Sequence, residues 1–228
     1  GVDVLHDLDG VTCGDQDMLM ARGVLVDCGE VPGIVFGFGR EARHLPGYVR
    51  GAYHVSDRDD AFVPLSMWVA IRCAEDDAWF GHNLSSANLI LQGDDALPGL
   101  ATITKTAGVA VTRCKKQYGA TQWTSKSIGL HLRLGEMELL SAYTPAHTHP
   151  ETFAYRIDVD PARLARVLAP DFTPPPIATD HSFAADDVEG IRKLHDRIER
   201  GERWQLIAAD RQADGPHVHR LSPLDMGS

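Results

Sequence analysis

The sequence predicts a mainly β, α+β fold, in which an antiparallel β-barrel or sandwich is closed by one or two C-terminal amphipathic helices. Three observations lead to this prediction. Alternating apolar residues dominate residues 1–160, helical patterns arrive only after them, and strands do not alternate with helices as they would in a parallel sheet.

The strands are predicted from the alternation of apolar side chains. Runs 18–27 and 31–38 are apolar and are separated by Cys28-Gly29-Glu30, a natural tight connection. Residues 62–73 alternate with apolar bulk on both faces, so this strand is expected to be covered on both sides. Residues 153–159 predict a further strand with one apolar face.

A β-hairpin is predicted across Gly135-Glu136. Residues 128–134 alternate, the apolar face continues over 137–143, and a two-residue Gly-X loop suits a type II′ turn. This register places Arg133 opposite Glu138, a cross-strand pair expected to contribute about 0.2–1 kcal/mol.

Helices are predicted near the C-terminus. Asp160-Pro161 supplies an N-cap and a first-turn proline for a short helix. Residues 186–201 form a second amphipathic pattern, and residues 203–209 suit a return strand. We therefore expect one β-rich domain.

The predicted domain covers residues 1–228. Its barrel or sandwich core is expected over 1–172, and a C-terminal helix with a possible return strand is expected over 180–210.

Composition narrows the class of partner. The net charge of −10 and the isoelectric point near 5.5 argue against nucleic acid and anionic membranes, because both select basic surfaces. The sequence contains no apolar run long enough for a membrane span and no leader pattern. The four cysteines are widely spaced, and arginine outnumbers lysine. We expect a cytoplasmic bacterial protein that binds a small molecule, and the sequence predicts no oligomeric state.

Lys105 is the first candidate for catalysis. In residues 103–111 it falls in phase with Ile103, Ala107 and Val109, because alternate residues of a strand share a face. If that face is interior, desolvation lowers the pKa of the amine and favours a nucleophile that can form a Schiff base. The open alternative is that Lys105 reaches solvent at a strand end.

His147, His149 and Glu151 are the second candidate. In an extended segment these three side chains project to the same side. Without a metal ion they could act as acid and base, and with one divalent ion they could be its ligands. A solvated loop is the alternative interpretation of the same residues.

The predicted function combines these candidates. Lys105, His147, His149 and Glu151 would serve a cofactor-independent enzyme that decarboxylates, isomerises or cyclises an apolar or carbonyl-bearing small molecule inside the barrel. The substrate-binding residues are predicted from aromatic and polar clusters: Trp68, Trp79, His82 and Tyr143.

Two other functions remain open at this level. One is a mononuclear metalloenzyme that uses His147, His149 and Glu151, and the other is a non-catalytic protein that binds a hydrophobic ligand. Neither hypothesis requires an organic cofactor.

Overall fold

The chain forms two compact units, Gly1–Arg113 (unit 1) and Cys114–Ser228 (unit 2). The computed structural model describes residues 2–13, 19–30, 32–145, 147, 149–169, 172, 179, 181–210 and 216–224.

Unit 1 is a three-stranded antiparallel sheet packed with helices. Its elements are α1 Val2–Cys13, α2 Arg22–Glu30, β1 Gly33–Glu41, α3 Gly47–Ala52, β2 Phe62–Arg72, β3 Ala78–Ser86 and α4 Leu100–Val111. Strand β2 is central and pairs antiparallel with β1 on one side and β3 on the other. The register of β2 and β3 shifts between Val69 and Ala70, which leaves His82 as the extra residue of a β-bulge.

Strand β2 is buried on both faces, which confirms the strand predicted over 62–73. On one face Met67 and Val69 belong to a hydrophobic core that includes Leu8 of α1 and Leu25 of α2. On the other face the Trp68 indole lies against α4. Helices thus cover both sides of this strand, and its apolar residues need no second sheet.

Helix α4 replaces the strand predicted around Lys105. Its buried positions include Leu100, Thr104 and Gly108, which repeat every four residues and form one helical stripe. Thr104 Oγ1 lies 2.6 Å from Ser66 Oγ of β2. The backbone of α4 approaches Trp68 so closely that a Cβ atom on Gly108 would overlap the indole. Packing against β2 therefore overrides the strand propensity of this segment.

The described residues of unit 2 form six strands, which pair antiparallel with one another. Its elements are β4 Lys116–Gln122, α5 Ile128–His131, β5 Gly135–Ser141, β6 Thr152–Val159, α6 Pro161–Arg166, β7 His181–Ala184, α7 Val188–Glu199, β8 Trp204–Asp210 and β9 Val218–Pro223. The spatial order is β4-β6-β5-β8-β9-β7. Strands β6 and β8 and helices α6 and α7 confirm the elements predicted over the C-terminal part of the sequence. Asp160 caps α6 as expected, because its carboxylate accepts from the N–H groups of Ala162 and Arg163.

The predicted hairpin across Gly135-Glu136 is wrong. Residues 128–131 form α5, and β5 pairs instead with β6, where Gly135 lies opposite Val159. The Glu138 carboxylate consequently accepts hydrogen bonds from Arg203 and Arg156, both at 2.7 Å, and not from Arg133. The bond from Arg203 lowers the pKa of Glu138, and the charge of Arg156 acts in the same direction.

The core of unit 2 is built around Trp123. Its ring centroid lies 4.2 Å from that of Phe153 and 4.9 Å from that of Phe183, and its Nε1–H donates to the Ala142 carbonyl at 2.8 Å. His219 of β9 is fully buried beside it, and its Nε2–H donates to the Trp123 carbonyl at 2.7 Å. An imidazole therefore lies inside an aromatic core.

Because His219 is buried, stability should decrease as the pH falls below neutrality. Burial lowers the pKa of His219 to about 4 from 6.5, the charge of His217 adds to the decrease, and the Trp123 carbonyl and Asp210 oppose it. Between these two pKa values the unfolded chain binds a proton that the folded protein does not. We expect the free energy of unfolding to fall by about 2 kcal/mol from pH 7.5 to about pH 5, measured by urea denaturation.

His219→Gln should remove this part of the pH dependence, since the glutamine amide can still donate to the Trp123 carbonyl but takes up no proton. His44→Gln changes an exposed histidine and serves as the control. Equal pH dependence in the unaltered protein and His219→Gln would contradict the assignment.

The predicted barrel or sandwich is wrong. Among the described residues, no pairing joins β1 to β3 or β4 to β7, so the strands of neither unit close into a barrel. Helices are also not confined to the C-terminus, because α1 and α2 precede the first strand. Each unit is an α+β arrangement in which helices cover a sheet.

Candidate functional site

Unit 1 contains a cavity of about 820 Å³ between its first two helices and the start of β1. Most of its wall is aliphatic. The lining residues come from α1 (Val2, Val4, Leu5), α2 (Leu25, Val26, Gly29, Glu30), β1 (Gly33, Ile34, Val35) and residues 55–64 (Val55, Arg58, Ala61, Phe62, Pro64). This volume is in the range that small-molecule ligands occupy.

A buried carboxylate fixes the position of α1 in this wall. Asp9 is fully buried, and its Oδ2 accepts from the Met20 N–H at 2.6 Å. Its Oδ1 accepts from Asn83 Nδ2 at 2.5 Å and from Ser85 Oγ at 3.1 Å. Asp9 thereby joins α1 to β3 and to the segment before α2. The residues that α1 contributes to the cavity depend on this junction.

The close approach of α2 to β1 in the cavity wall depends on Gly33. A Cβ atom on Gly33 would overlap the backbone of Cys28, so only glycine lets the end of α2 approach β1 this closely. Burial raises the pKa of the Cys28 thiol, and the charge of Asp27 adds to the increase. The thiol next to the cavity wall is therefore protonated near neutral pH and is a weak nucleophile.

Glu30 and Arg58 are the two ionisable residues in the cavity lining, and they have opposite charges. In the part of unit 1 that the structure describes, neither side chain has a hydrogen-bond or ion-pair partner. Among the described residues, the lining contains no serine, cysteine, threonine, lysine or histidine. The site can thus bind an apolar molecule and pair a charged group of that molecule with Glu30 or Arg58. The Glu30 carboxylate can also act as a base.

The cavity lining contains none of the residues that the sequence proposed for the site. Lys105 lies on α4 and is 1% exposed. Trp68 is buried on β2 against α4, while Trp79 and His82 lie on β3. The roles predicted for these residues stay predictions.

The histidine segment lies in unit 2, in the loop between β5 and β6. The loop is closed by a hydrogen bond from the Thr144 N–H to the Pro150 carbonyl at 2.9 Å. The His149 N–H donates to His147 Nδ1 at 3.0 Å, and the Glu151 carbonyl accepts from the Trp123 N–H at 3.2 Å.

Tyr143 precedes this loop, and its hydroxyl accepts from Arg192 at 3.1 Å. The described residues contain no group of three or more histidine, cysteine, aspartate or glutamate side chains placed to share a metal ion. The three residues proposed as metal ligands therefore do not converge. Acid–base roles for them stay predictions.

Sequence reasoning missed Glu30 and Arg58. The segment containing Glu30 was expected to be a strand and a turn, whereas residues 22–30 form α2. The available signal was the three-residue spacing of the buried Leu25 and Cys28, which suits a helix better than a strand. Arg58 lies in an aspartate-rich segment with no periodic pattern, so nothing in the sequence distinguished it.

Comparison with known proteins gives no family for this chain. No protein-family model and no curated protein matches it. Its structure overlaps with one from the NatC complex bound to Gag peptide and CoA, with a TM-score of 0.47, 9% identity, and coverage of 69% of this chain and 92% of that one. A second overlap is with a protein from Desulfovibrio desulfuricans assigned to the GNAT acetyltransferases, with a TM-score of 0.32, 15% identity, and coverage of 64% and 94%. These values do not place the chain in either group.

The predicted lyase, isomerase or cyclase function inside a barrel is wrong, because neither unit encloses a barrel. One overlapping structure contains CoA, and the other is assigned to acetyltransferases. The CoA-containing overlap stands against the expectation of no cofactor. The alternative, one divalent metal ion, has no group of three converging ligands among the described residues. The metalloenzyme loses its basis, because the described residues contain no converging ligands. The hydrophobic carrier was expected to hold its ligand inside a barrel, and neither unit encloses one.

No helix in the described part of the chain is both long and apolar enough to span a membrane. The expectation of a small-molecule ligand keeps its support, because the unit 1 cavity has a suitable size.

Proposed function

We propose that the protein binds a small, largely apolar molecule in the unit 1 cavity and transfers an acyl group to it. The observation that carries this proposal is the cavity itself: about 820 Å³, with a mainly aliphatic wall and two isolated charges. An apolar substrate would remove the exposed part of this wall from water, at about 25 cal/mol for each Å² that is buried.

The composition of the lining supports direct transfer. The described residues of the wall include no hydroxyl, thiol or amine side chain that could hold an acyl group covalently. In direct transfer the substrate provides the nucleophile, and the protein needs only to orient it and accept a proton. The Glu30 carboxylate is the base available in the lining.

The reaction we propose joins an amine substrate to the acyl group of a thioester. The amine nitrogen attacks the thioester carbonyl, the C–N bond forms and the C–S bond breaks. Glu30 takes the proton lost by the amine, and the sulfur leaves as a thiolate that is then protonated. Because the NatC structure contains CoA, acetyl-CoA is the first donor to test.

Gly29→Phe should block the site without unfolding it. Gly29 lines the cavity, and a Cβ atom added there meets no other atom within 4 Å. A phenyl ring at this position should occupy part of the cavity and reduce acyl transfer at least about tenfold, while the replacement of a helical glycine preserves or raises stability. The assay measures the release of free CoA thiol from acetyl-CoA in the presence of apolar primary amines.

Gly23→Phe is the matched control, because Gly23 lies on the same helix, has the same open surroundings and does not line the cavity. Amine-dependent thiol release that is retained in Gly23→Phe and lost in Gly29→Phe would support the proposal. Absence of amine-dependent release from the unaltered protein, or equal release by both variants, would refute it.

A further inference from the structure

The end of the cavity at Glu30 is electrostatically negative. Glu30 is the last residue of α2, where the main-chain carbonyls give a helix a partial negative charge. The last turn of α2 has no basic residue that would offset it. Carboxylate and helix terminus therefore act together and favour a positively charged group, such as an ammonium, at this end.

Arg58 provides the opposite charge from residues 55–64. Arg58 has three acidic neighbours in the sequence. Asp59 accepts a hydrogen bond from Arg50 Nη2 at 2.6 Å. Asp57 and Asp60 do not line the cavity. Arg58 is exposed, and in the described part of unit 1 its guanidinium is unpaired. A planar guanidinium of this kind binds a carboxylate through two parallel hydrogen bonds.

Apart from Glu30 and Arg58, the described residues of the lining are apolar. Leu5, Leu25 and Val35 lie in the same lining as Glu30 and Arg58. A ligand that leaves Glu30 or Arg58 without a partner binds less tightly than a ligand that carries the complementary charged group. The cavity therefore matches a molecule with an amino group, a carboxylate and an aliphatic or aromatic body.

We infer that the acyl acceptor is a free amino acid with an apolar side chain. Its amino group lies at Glu30, its carboxylate at Arg58 and its side chain against the aliphatic wall. This inference rests on the proposed function for the reaction, while the binding of the amino acid is independent of it. The balanced reaction then yields an N-acyl amino acid and a free thiol, and Glu30 receives the proton from the amine.

Calorimetric titration with leucine and two of its analogues tests the inference. Leucinamide lacks the carboxylate, and 4-methylpentanoic acid lacks the amino group. We expect leucine to bind about tenfold more tightly than either analogue, since each lacks one charge-assisted contact. Arg58→Gln should lower the affinity for leucine to that for leucinamide and leave leucinamide binding unchanged.

Arg72→Gln is the matched control, because Arg72 is exposed, pairs with Asp76 and does not line the cavity. It should leave all three affinities unchanged. Equal binding of leucine and leucinamide by the unaltered protein, or an unchanged preference in Arg58→Gln, would overturn the inference.

Failure of the inference can be distinguished from failure of the proposed function. If leucine binds with the expected preference but no thiol is released from acetyl-CoA, the ligand assignment stands and acyl transfer is refuted. If leucinamide and simple apolar amines are acylated as readily as leucine, acyl transfer stands and the amino acid assignment is refuted.

Discussion

Replacing Asp9 with alanine should lower the free energy of unfolding by about 3–5 kcal/mol. The substitution removes a fully buried carboxylate and leaves the Met20 N–H and the Asn83 amide without this acceptor. The Ser85 hydroxyl loses its 3.1 Å bond to Asp9 and keeps only the 3.4 Å bond to Asn83 Oδ1. Each buried donor then keeps its desolvation cost without a compensating bond. Urea denaturation followed by circular dichroism measures the change.

Asp3→Ala is the matched control on the same helix. Asp3 is exposed and pairs with Arg22 at the surface, so its removal should change the free energy of unfolding by no more than about 1 kcal/mol. Asp9→Ala should also weaken ligand binding, because α1 supplies part of the cavity wall. A loss below about 1 kcal/mol in Asp9→Ala would show that the carboxylate does not hold this junction.

Elements covered on two sides, or marked by capping residues, were predictable from the sequence. The alternation over 62–73 survives in β2 because both of its faces are buried by helices. Asp160 and Pro161 mark the start of α6 through local chemistry, which does not depend on distant contacts. The amphipathic pattern of α7 likewise reports burial of one stripe, including Ile191 and Leu194.

The segment around Lys105 was not predictable by the same reasoning. Ile103, Val109 and Val111 alternate and have high strand propensity, yet α4 forms because its buried stripe packs on β2. Gly108 belongs to that stripe because the Trp68 indole leaves no room for a side chain. Such a contact joins residues forty positions apart and leaves no trace in local periodicity.

The sequence did not reveal the candidate site for a related reason. Glu30 and Arg58 are exposed charges, and each has an ordinary local context in the sequence. They acquire a possible function only when α2 and residues 55–64 line the same cavity. Their chemistry depends on tertiary placement, whereas the histidine-rich segment attracted attention through its local spacing.

Glu30→Gln should lower kcat for acyl transfer by about 10²–10⁴-fold. The glutamine amide matches the carboxylate in size but cannot accept the proton of the attacking amine. Binding of the acceptor should weaken by about tenfold at most, because one charge contact is lost. The decrease in kcat should therefore exceed the loss of affinity, and steady-state thiol release combined with calorimetry separates the two.

The pH profile distinguishes a base from a residue that only shapes the wall. As the pH rises, a growing fraction of the free amine is unprotonated, so Glu30→Gln should recover activity towards alkaline pH more steeply than the unaltered protein. Glu136→Gln changes an exposed carboxylate of β5 and should behave as the unaltered protein does. A parallel decrease at every pH would exclude proton transfer to Glu30 and leave this residue a role in binding alone.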